Sequence, residues 1–293
     1  MISRKKIILV GPPGVGKTTL QNVYFEHKSP SSLLKDPLHP SRGINSRIYT
    51  TCNIDLGVFD LAGQENEIWF SDKGKIVFSQ SNIIICVFDI RNSLESIIRF
   101  LINIYKLKKE LHLHSCKIIA FLHKIDLRSY SYVCSKLKTI QKFIKIQHPR
   151  GRDFEIYSTS ITRNNFYNTF YILSEILNII FKKNIFPIND QELEKLQKQL
   201  SIIYKSDINI KYNIDDISQK YCLNSKEARD YLEKLEELGF VKSFDKYNFF
   251  KLTNRADYFK FGLEKDISNI DQSQFNKKIE FFHIFLCLKE KEE

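Results

Sequence analysis

The chain has little of several residue types, and each scarcity excludes something. Its 293 residues hold one Met, one Trp, seven Pro and ten Gly. Six cysteines stand at 52, 86, 116, 134, 222 and 287, and no two form a Cys-x-x-Cys pair. That scatter argues against a disulfide framework or a zinc site and reads as reduced core thiols in a cytosolic, cytoplasmic protein. No apolar run approaches the roughly 20 residues of a membrane-spanning helix. Met1-Ile2-Ser3-Arg4-Lys5-Lys6 leads straight into a strand-like run, so no signal peptide is expected. Residue 2 is Ile and the sequence ends Lys-Glu-Lys-Glu-Glu, so neither a myristoyl signal nor a prenylation box is expected.

What is present is enough for two domains with ordinary cores: 43% of residues are hydrophobic. The formal charge of +11 is uneven, with +13 on residues 1–185 and −2 on residues 186–293. A basic first half attracts nucleotide, nucleic acid or an anionic membrane surface. The plainer account is a lysine-rich composition, and peripheral membrane contact stays open.

The chain is organised around Gly11-Pro12-Pro13-Gly14-Val15-Gly16-Lys17-Thr18-Thr19. An apolar strand, Ile7 to Val10, precedes it, and Leu20 to Glu26 can turn helical. Strand, glycine-rich loop and helix at this spacing make a phosphate-binding loop. Backbone N–H groups curl around phosphate oxygens, and the helix points its positive end at the same anion. Lys17 would reach the β- and γ-phosphates, and the Thr18 hydroxyl would bind Mg²⁺.

Ser29 to Arg47 is polar and Pro-containing and reads as a mobile loop. A strand pair over 48–59 then delivers Asp60-Leu61-Ala62-Gly63-Gln64-Glu65. An Asp at a strand end can hold Mg²⁺ through water, a Gly N–H can meet a γ-phosphate, and a Gln can orient an attacking water. Further along, Ile83 to Ile90 is a buried strand carrying Asp89, and Leu94 to Leu113 has helical spacing. The strand from Cys116 delivers His123-Lys124-Ile125-Asp126. There the Asp126 carboxylate can take both N1–H and N2–H of guanine, a donor pair adenine lacks, while the Lys124 stem packs across the base. A fifth run ends at Ser158-Thr159-Ser160-Ile161, and Asn165 to Lys183 is the last helix. This alternation describes a doubly wound, mostly parallel α/β domain over 1–185, with every motif at the carboxyl end of a strand.

The domain resembles the small Ras-superfamily GTPases over about residues 4–183. It leans toward the archaeal-type Rag/Gtr branch through His123-Lys-Ile-Asp and Phe154…Ser158-Thr-Ser-Ile. The resemblance implies a P-loop GTPase fold that uses GTP/GDP and Mg²⁺. It also implies base-side roles for His123, Lys124, Asp126, Ser160 and Ile161, and makes Ser41 a third Mg²⁺ ligand beside Thr18 and Asp60. Most other branches carry Asn at the position of His123, and its link to the phosphate loop falls to the imidazole or is lost. Pro13 replaces a Gly found in many relatives and would crowd an arginine from an activating protein. Any activator is therefore expected to act by ordering Gln64. Arg42 is a conceivable substitute in cis.

Phe186-Pro187 breaks the chain, and residues 186–293 read as a second, mainly helical domain. A helix over 191–204, a segment over 213–223, a capped helix from Asn224 to Glu237 ending at Gly239, and a hairpin over 240–252 resemble a winged helix-turn-helix. The helix ending at Glu237 carries Lys226, Arg229 and Lys234 against Glu227, Asp230, Glu233, Glu236 and Glu237. It would mostly repel DNA phosphates, so duplex DNA is not an expected partner. A protein-interaction or dimerisation module fits better, giving a homo- or heterodimer. The apolar tail 275–288 is expected to dock within the chain, and 289–293 to fray.

The reading is a switch that binds GTP·Mg²⁺ and hydrolyses it slowly, with Gln64 and Lys17 as catalytic residues. Protein effectors, an activator and an exchange factor are its expected partners. Two rivals stay open: a nucleotide-sensing DNA-binding regulator, and an ATP-using P-loop protein, against which Asp126 argues.

Overall fold

The computed structural model describes residues 3–36, 38–51, 54–147, 154–181, 210–221, 223–237, 239–245 and 248–253, with short pieces at 202, 256 and 289–290. The chain divides into two compact units. The first takes residues 1–22, 37–182 and 288–293, and the second takes 23–36 and 183–287.

The first unit is built on a seven-stranded sheet. Its strands are β1 (Ser3–Val10), β2 (Ile44–Thr51), β3 (Ile54–Leu61), β4 (Ile83–Asp89), β5 (Lys117–His123), β6 (Phe154–Thr159) and β10 (Lys289–Glu290). The order is β10-β2-β3-β1-β4-β5-β6, parallel except where β2 runs against β3 and β10 against β2. The apolar runs explain the parallel core. Every residue of β4 is buried, and Ile7 to Val10 are at most 1% exposed, as strands covered on both faces must be. Helices α1 (Lys17–Tyr24), α3 (Asn66–Trp69), α4 (Leu94–Glu110), α5 (Tyr130–Gln147) and α6 (Arg163–Phe181) connect or follow the strands.

One core packs Ile8, Val10, Ile84, Cys86 and Phe88 of the sheet against Ile97, Leu101 and Ile104 of α4 and Ile140 and Ile144 of α5. Phe88 and Phe70 each meet Phe100 edge-on. Cys86 and Cys116 are buried and, with Cys134, are free thiols. Cys52, Cys222 and Cys287 lie outside the described residues.

The chain leaves β1 between β3 and β4, so the loop after β1 sits where the strand order reverses. Open α/β sheets bind ligands at that point. The unit is a P-loop-type, doubly wound α/β fold, as the strand and helix alternation implies.

Some local expectations change. The segment 29–47 is not loop throughout: Pro30–Lys35 form α2, with Pro30 in the first turn where its missing N–H is not needed. Strand β2 begins at Ile44, earlier than its composition suggests, because Ile44 to Thr51 form a continuous ladder with β3. Helix α5 has no counterpart in the sequence reading. It carries four lysines and no acid, and Lys138, Lys142 and Lys145 are exposed along one stripe. Four of the +13 charges of the first half therefore lie on this helix. Lys289 and Glu290 do not fray but pair with Thr50 and Tyr49, where β2 otherwise ends the sheet with open backbone groups.

In the second unit, β7 (Lys211–Asn213), α7 (Ile214–Tyr221), α8 (Ser225–Glu237), β8 (Val241–Phe244) and β9 (Phe249–Leu252) are described. The strands form an antiparallel sheet in the order β7-β9-β8. Asn224 and Glu227 cap α8 reciprocally. The Glu227 N–H donates to Asn224 Oδ1 at 2.9 Å, and the Asn224 N–H donates to Glu227 Oε2 at 3.0 Å. Gly239, at φ 75°, ends it, with the Phe240 N–H returning to Leu235 O at 2.8 Å. Ala228, Leu232 and Leu235 form its buried stripe. The expected helix 191–204, the break at 186 and the tail 275–288 lie essentially outside the described residues.

Candidate functional site

The loop Gly11–Gly16 turns over the carboxyl ends of the central strands and opens α1. Gly16 has φ 102°, a backbone that side chains rarely adopt, and a Cβ there would stand 2.9 Å from the His123 ring. Lys17 folds back into the loop, 4% exposed, and its Nζ donates to the carbonyls of Gly11 (3.0 Å) and Pro12 (2.9 Å). Burial lowers the Lys17 ammonium to about 8, while the Asp60 charge pulls the other way. Pro13 and Gly14 are exposed at the tip, Val15 is buried, and Thr19 is half-buried on α1.

Asp60, the last residue but one of β3, has no exposed surface. The Thr18 hydroxyl donates to its Oδ2, while Oδ1 is buried without a hydrogen-bond partner. Burial raises this carboxyl above its usual range, against the opposing hydrogen bond from Thr18 and charge of Lys17. A buried, half-satisfied carboxylate beside a hydroxyl and a phosphate loop fits a divalent cation, which needs oxygen donors and tolerates few from the protein. Ser41 is half-buried and makes no hydrogen bond with either residue among the described residues. It stands two residues before Gly43.

Gly63 and Gln64 lie in a 3-10 turn, Gly63–Glu65. Gly63 presses on the phosphate loop: a Cβ there would meet Pro12 C and Pro13 N at 2.5 Å. Gln64 is exposed beside it. The Asn66 amide donates to Gly11 O at 3.2 Å, and Trp69 Nε1 donates to Ala62 O at 2.9 Å. The Gly43 N–H donates to Glu65 Oε1 at 2.9 Å, and the Ala62 N–H donates to Gly43 O at 3.0 Å. The segments before β2 and after β3 are thus joined to each other and to the loop.

At the next strand ends, His123 is 2% exposed, its Nδ1 3.0 Å from Thr159 Oγ1. The imidazole lies against Gly16 of the loop. Lys124 takes a left-handed backbone, φ 59°, and its Nζ donates to Gly14 O at 2.6 Å. Asp126 is exposed, with its Oδ1 held by the Ser160 hydroxyl. Ser160 is fixed in turn by Thr169, which donates to Ser160 O and accepts from the Ser160 N–H, both at 2.9 Å. Ile161 is buried beside it.

Burial, and then the Lys124 charge, push His123 down to about 3 from an ordinary 6.5, so it is neutral at working pH. The folded state refuses a proton that the unfolded chain accepts. This contribution is complete above about pH 6.5 and is lost as pH falls from there toward 3. Between pH 7 and 4.5 the wild type is expected to lose about 3 kcal/mol through this group. Denaturant unfolding at the two pH values should show a smaller loss for His123→Asn. Equal losses would count against it.

Residues 6–205 match the family model of the Gtr1/RagA G protein conserved region. The chain belongs to the Gtr1/RagA G protein family. As a G protein it binds guanine nucleotide. No match is found among curated protein sequences. Among solved structures it is similar to Methanosarcina barkeri Roco2 RocCORdC bound to GDP, at 16% identity and a TM-score of 0.41, over 86% of this chain and 73% of that one. Among the described residues no helix is long and apolar enough to cross a membrane.

Several residues of this Gtr1/RagA-family site escape the sequence reading. Glu65 and Asn66 tie the Gly63 turn to neighbouring backbone, Thr159 and Thr169 set the ring and the serine, and Asp89 with Arg91 stands beside Lys124. Glu65 and Thr159 stand inside motifs already read but without an assigned role, and Asp89 is visible as a carboxylate closing an apolar strand.

Proposed function

We propose that this chain is a molecular switch that binds GTP with Mg²⁺, hydrolyses it slowly to GDP and phosphate, and so controls which protein partners it holds. The observation that carries this reading is the meeting of three segments at the phosphate loop. Gly63 lies on Pro12–Pro13, and Glu65 and Ala62 hold Gly43, close to Ser41. A γ-phosphate in the loop touches the place where all three converge, and its loss frees them.

In this reading Gly11 to Thr19 hold the phosphates, and Asp126 selects guanine. Lys124 and the His123–Gly16 contact keep the base side and the phosphate side in register, and Ser160 and Ile161 complete the base pocket. Thr18, Asp60 and, in the GTP state, Ser41 would hold the metal. A bound Mg²⁺ would neutralise charge on the β- and γ-phosphate oxygens. Lys17 trades its carbonyl partners for phosphate oxygens and keeps its proton. Gln64, exposed beside Gly63, orients the attacking water. Among the described residues no arginine hydrogen-bonds to the loop Gly11–Gly16, and intrinsic turnover is expected to be slow.

The second unit serves protein contact, as a winged-helix-like module. Helix α8 exposes Glu227, Asp230, Glu233 and Glu237, which favours a protein partner or a dimer over duplex DNA.

Gln64→Leu tests the hydrolytic part. Single-turnover GTP cleavage should fall about a hundred-fold or more, in the range of a lost water-positioning group, while GTP affinity stays within a few-fold. Unchanged cleavage would remove Gln64 from the mechanism.

A further inference from the structure

Beside Lys124 lies a buried carboxylate that guanine reading and phosphate binding do not call for. Asp89 closes β4, 4% exposed, directly across from His123 in the β4–β5 register. Its Oδ2 stands 3.1 Å from Lys124 Nζ and accepts from Arg91 Nη2 at 2.8 Å. Its Oδ1 accepts from Arg91 Nε and from the Arg91 backbone N–H, both at 2.9 Å. Burial would raise this carboxyl, but the hydrogen bonds from Arg91 and Lys124 outweigh it and hold it well below the usual carboxylate range.

The surrounding loop is fixed independently of Lys124. The Asp89 N–H donates to Asn92 Oδ1 at 2.8 Å, and the Ile90 N–H donates to His123 O at 2.8 Å. Lys136, buried on α5, donates to the carbonyls of Ile90, at 2.7 Å, and Asn92. The carboxylate is therefore presented on a rigid frame.

Resting on the guanine-nucleotide reading above, we infer that Asp89 is a positioning residue for nucleotide retention, acting through Lys124. Lys124 has a backbone conformation costly for a lysine, and its long side chain is free to wander unless its head is anchored. Gly14 O supplies one anchor, on the phosphate side. Asp89 supplies the second, on the strand side, and among the described residues it is the charged one. Between the two, the stem is stretched across the ground where the base lies. Without the carboxylate, two cations, Lys124 and Arg91, face each other with a single carbonyl to hold the lysine. The base then loses its floor, and the phosphate loop loses the firm hold of Lys124 on Gly14.

The test is dissociation of a fluorescent GDP from the full chain, in wild type, Asp89→Asn, Lys124→Ala and the double variant. Asp89→Asn keeps shape and removes charge, so release should quicken about ten-fold, the scale of one buried charge-assisted pair. In the Lys124→Ala background it should add nothing, since the group it acts through is gone. Single-turnover hydrolysis of GTP that stays bound should be unchanged in Asp89→Asn, because the carboxylate contacts Arg91 and Lys124 and not the Gly63–Gln64 turn. Asp89→Glu keeps the charge a methylene further out and should fall between, which preserves the test if the Asn variant does not fold. Independent, multiplying effects of the two substitutions, or release unchanged in Asp89→Asn, would overturn the inference. A wild type that fails to retain GDP would instead overturn the guanine-nucleotide reading beneath it.

Discussion

Asp126→Ala is expected to lower affinity for GTP and GDP by roughly a hundred- to ten-thousand-fold. A carboxylate facing guanine takes N1–H and N2–H together, and each charge-assisted hydrogen bond contributes about 1.5–3 kcal/mol. The loss is specific to function because Asp126 is exposed and its protein partner is the Ser160 hydroxyl. That hydroxyl keeps other partners, Thr162 Oγ1 at 3.0 Å and the Thr162 N–H at 3.1 Å, so stability should hardly change. The same change should erase discrimination against adenine nucleotides. Titration with fluorescent GDP, and displacement by unlabelled GTP and ATP, measures both. Retained selectivity in Asp126→Ala would remove this residue from base reading. Ser160→Ala should show the same direction at smaller size, since it loosens the carboxylate without deleting it.

Gly63→Ala is expected to separate binding from hydrolysis. The new methyl would lie 2.5 Å from Pro12 C and Pro13 N and 2.6 Å from Pro12 O. These are backbone atoms, and Pro13 has no torsional slack, so no rotamer change relieves the overlap. The turn Gly63–Glu65 must lift from the loop and carry Gln64 with it. A displacement near 1 Å of a positioning group costs on the order of a hundred-fold in rate. The base side, at His123, Lys124 and Asp126, is untouched, so nucleotide affinity should remain within a few-fold. Single-turnover GTP cleavage beside GDP affinity measures the split. Cleavage at the wild-type rate would mean that the turn works away from the phosphate loop.

What was legible in the sequence is what the chain encodes locally. The phosphate loop needs consecutive residues of defined backbone freedom, so Gly11, Gly14 and Gly16 announce it in one stretch. The helix cap at Asn224 and Glu227 and its stop at Gly239 are equally local, and the structure has both. The central parallel strands were legible because Ile7 to Val10 and Ile83 to Phe88 are apolar runs, as burial on both faces requires.

The remainder is carried by pairs distant in sequence. Glu65 reaches Gly43, Asn66 reaches Gly11, and Lys124 reaches Gly14 and Asp89. No spacing rule joins residues brought together only when β1, β4 and β5 align. The two-residue strand β10 has no pattern of its own and depends on the open edge of β2. Helix α5 was hidden because its many lysines and β-branched residues dilute the apolar stripe of Val133, Ile140 and Ile144, which is plain only once these residues are seen against the core.

The most direct measurement is equilibrium binding of GDP, GTP and ATP to the purified wild-type chain with and without Mg²⁺. The account predicts tight guanine-nucleotide binding that Mg²⁺ strengthens and that a large excess of ATP does not displace. Displacement by ATP at concentrations comparable to GTP, or no nucleotide binding at all, would contradict it.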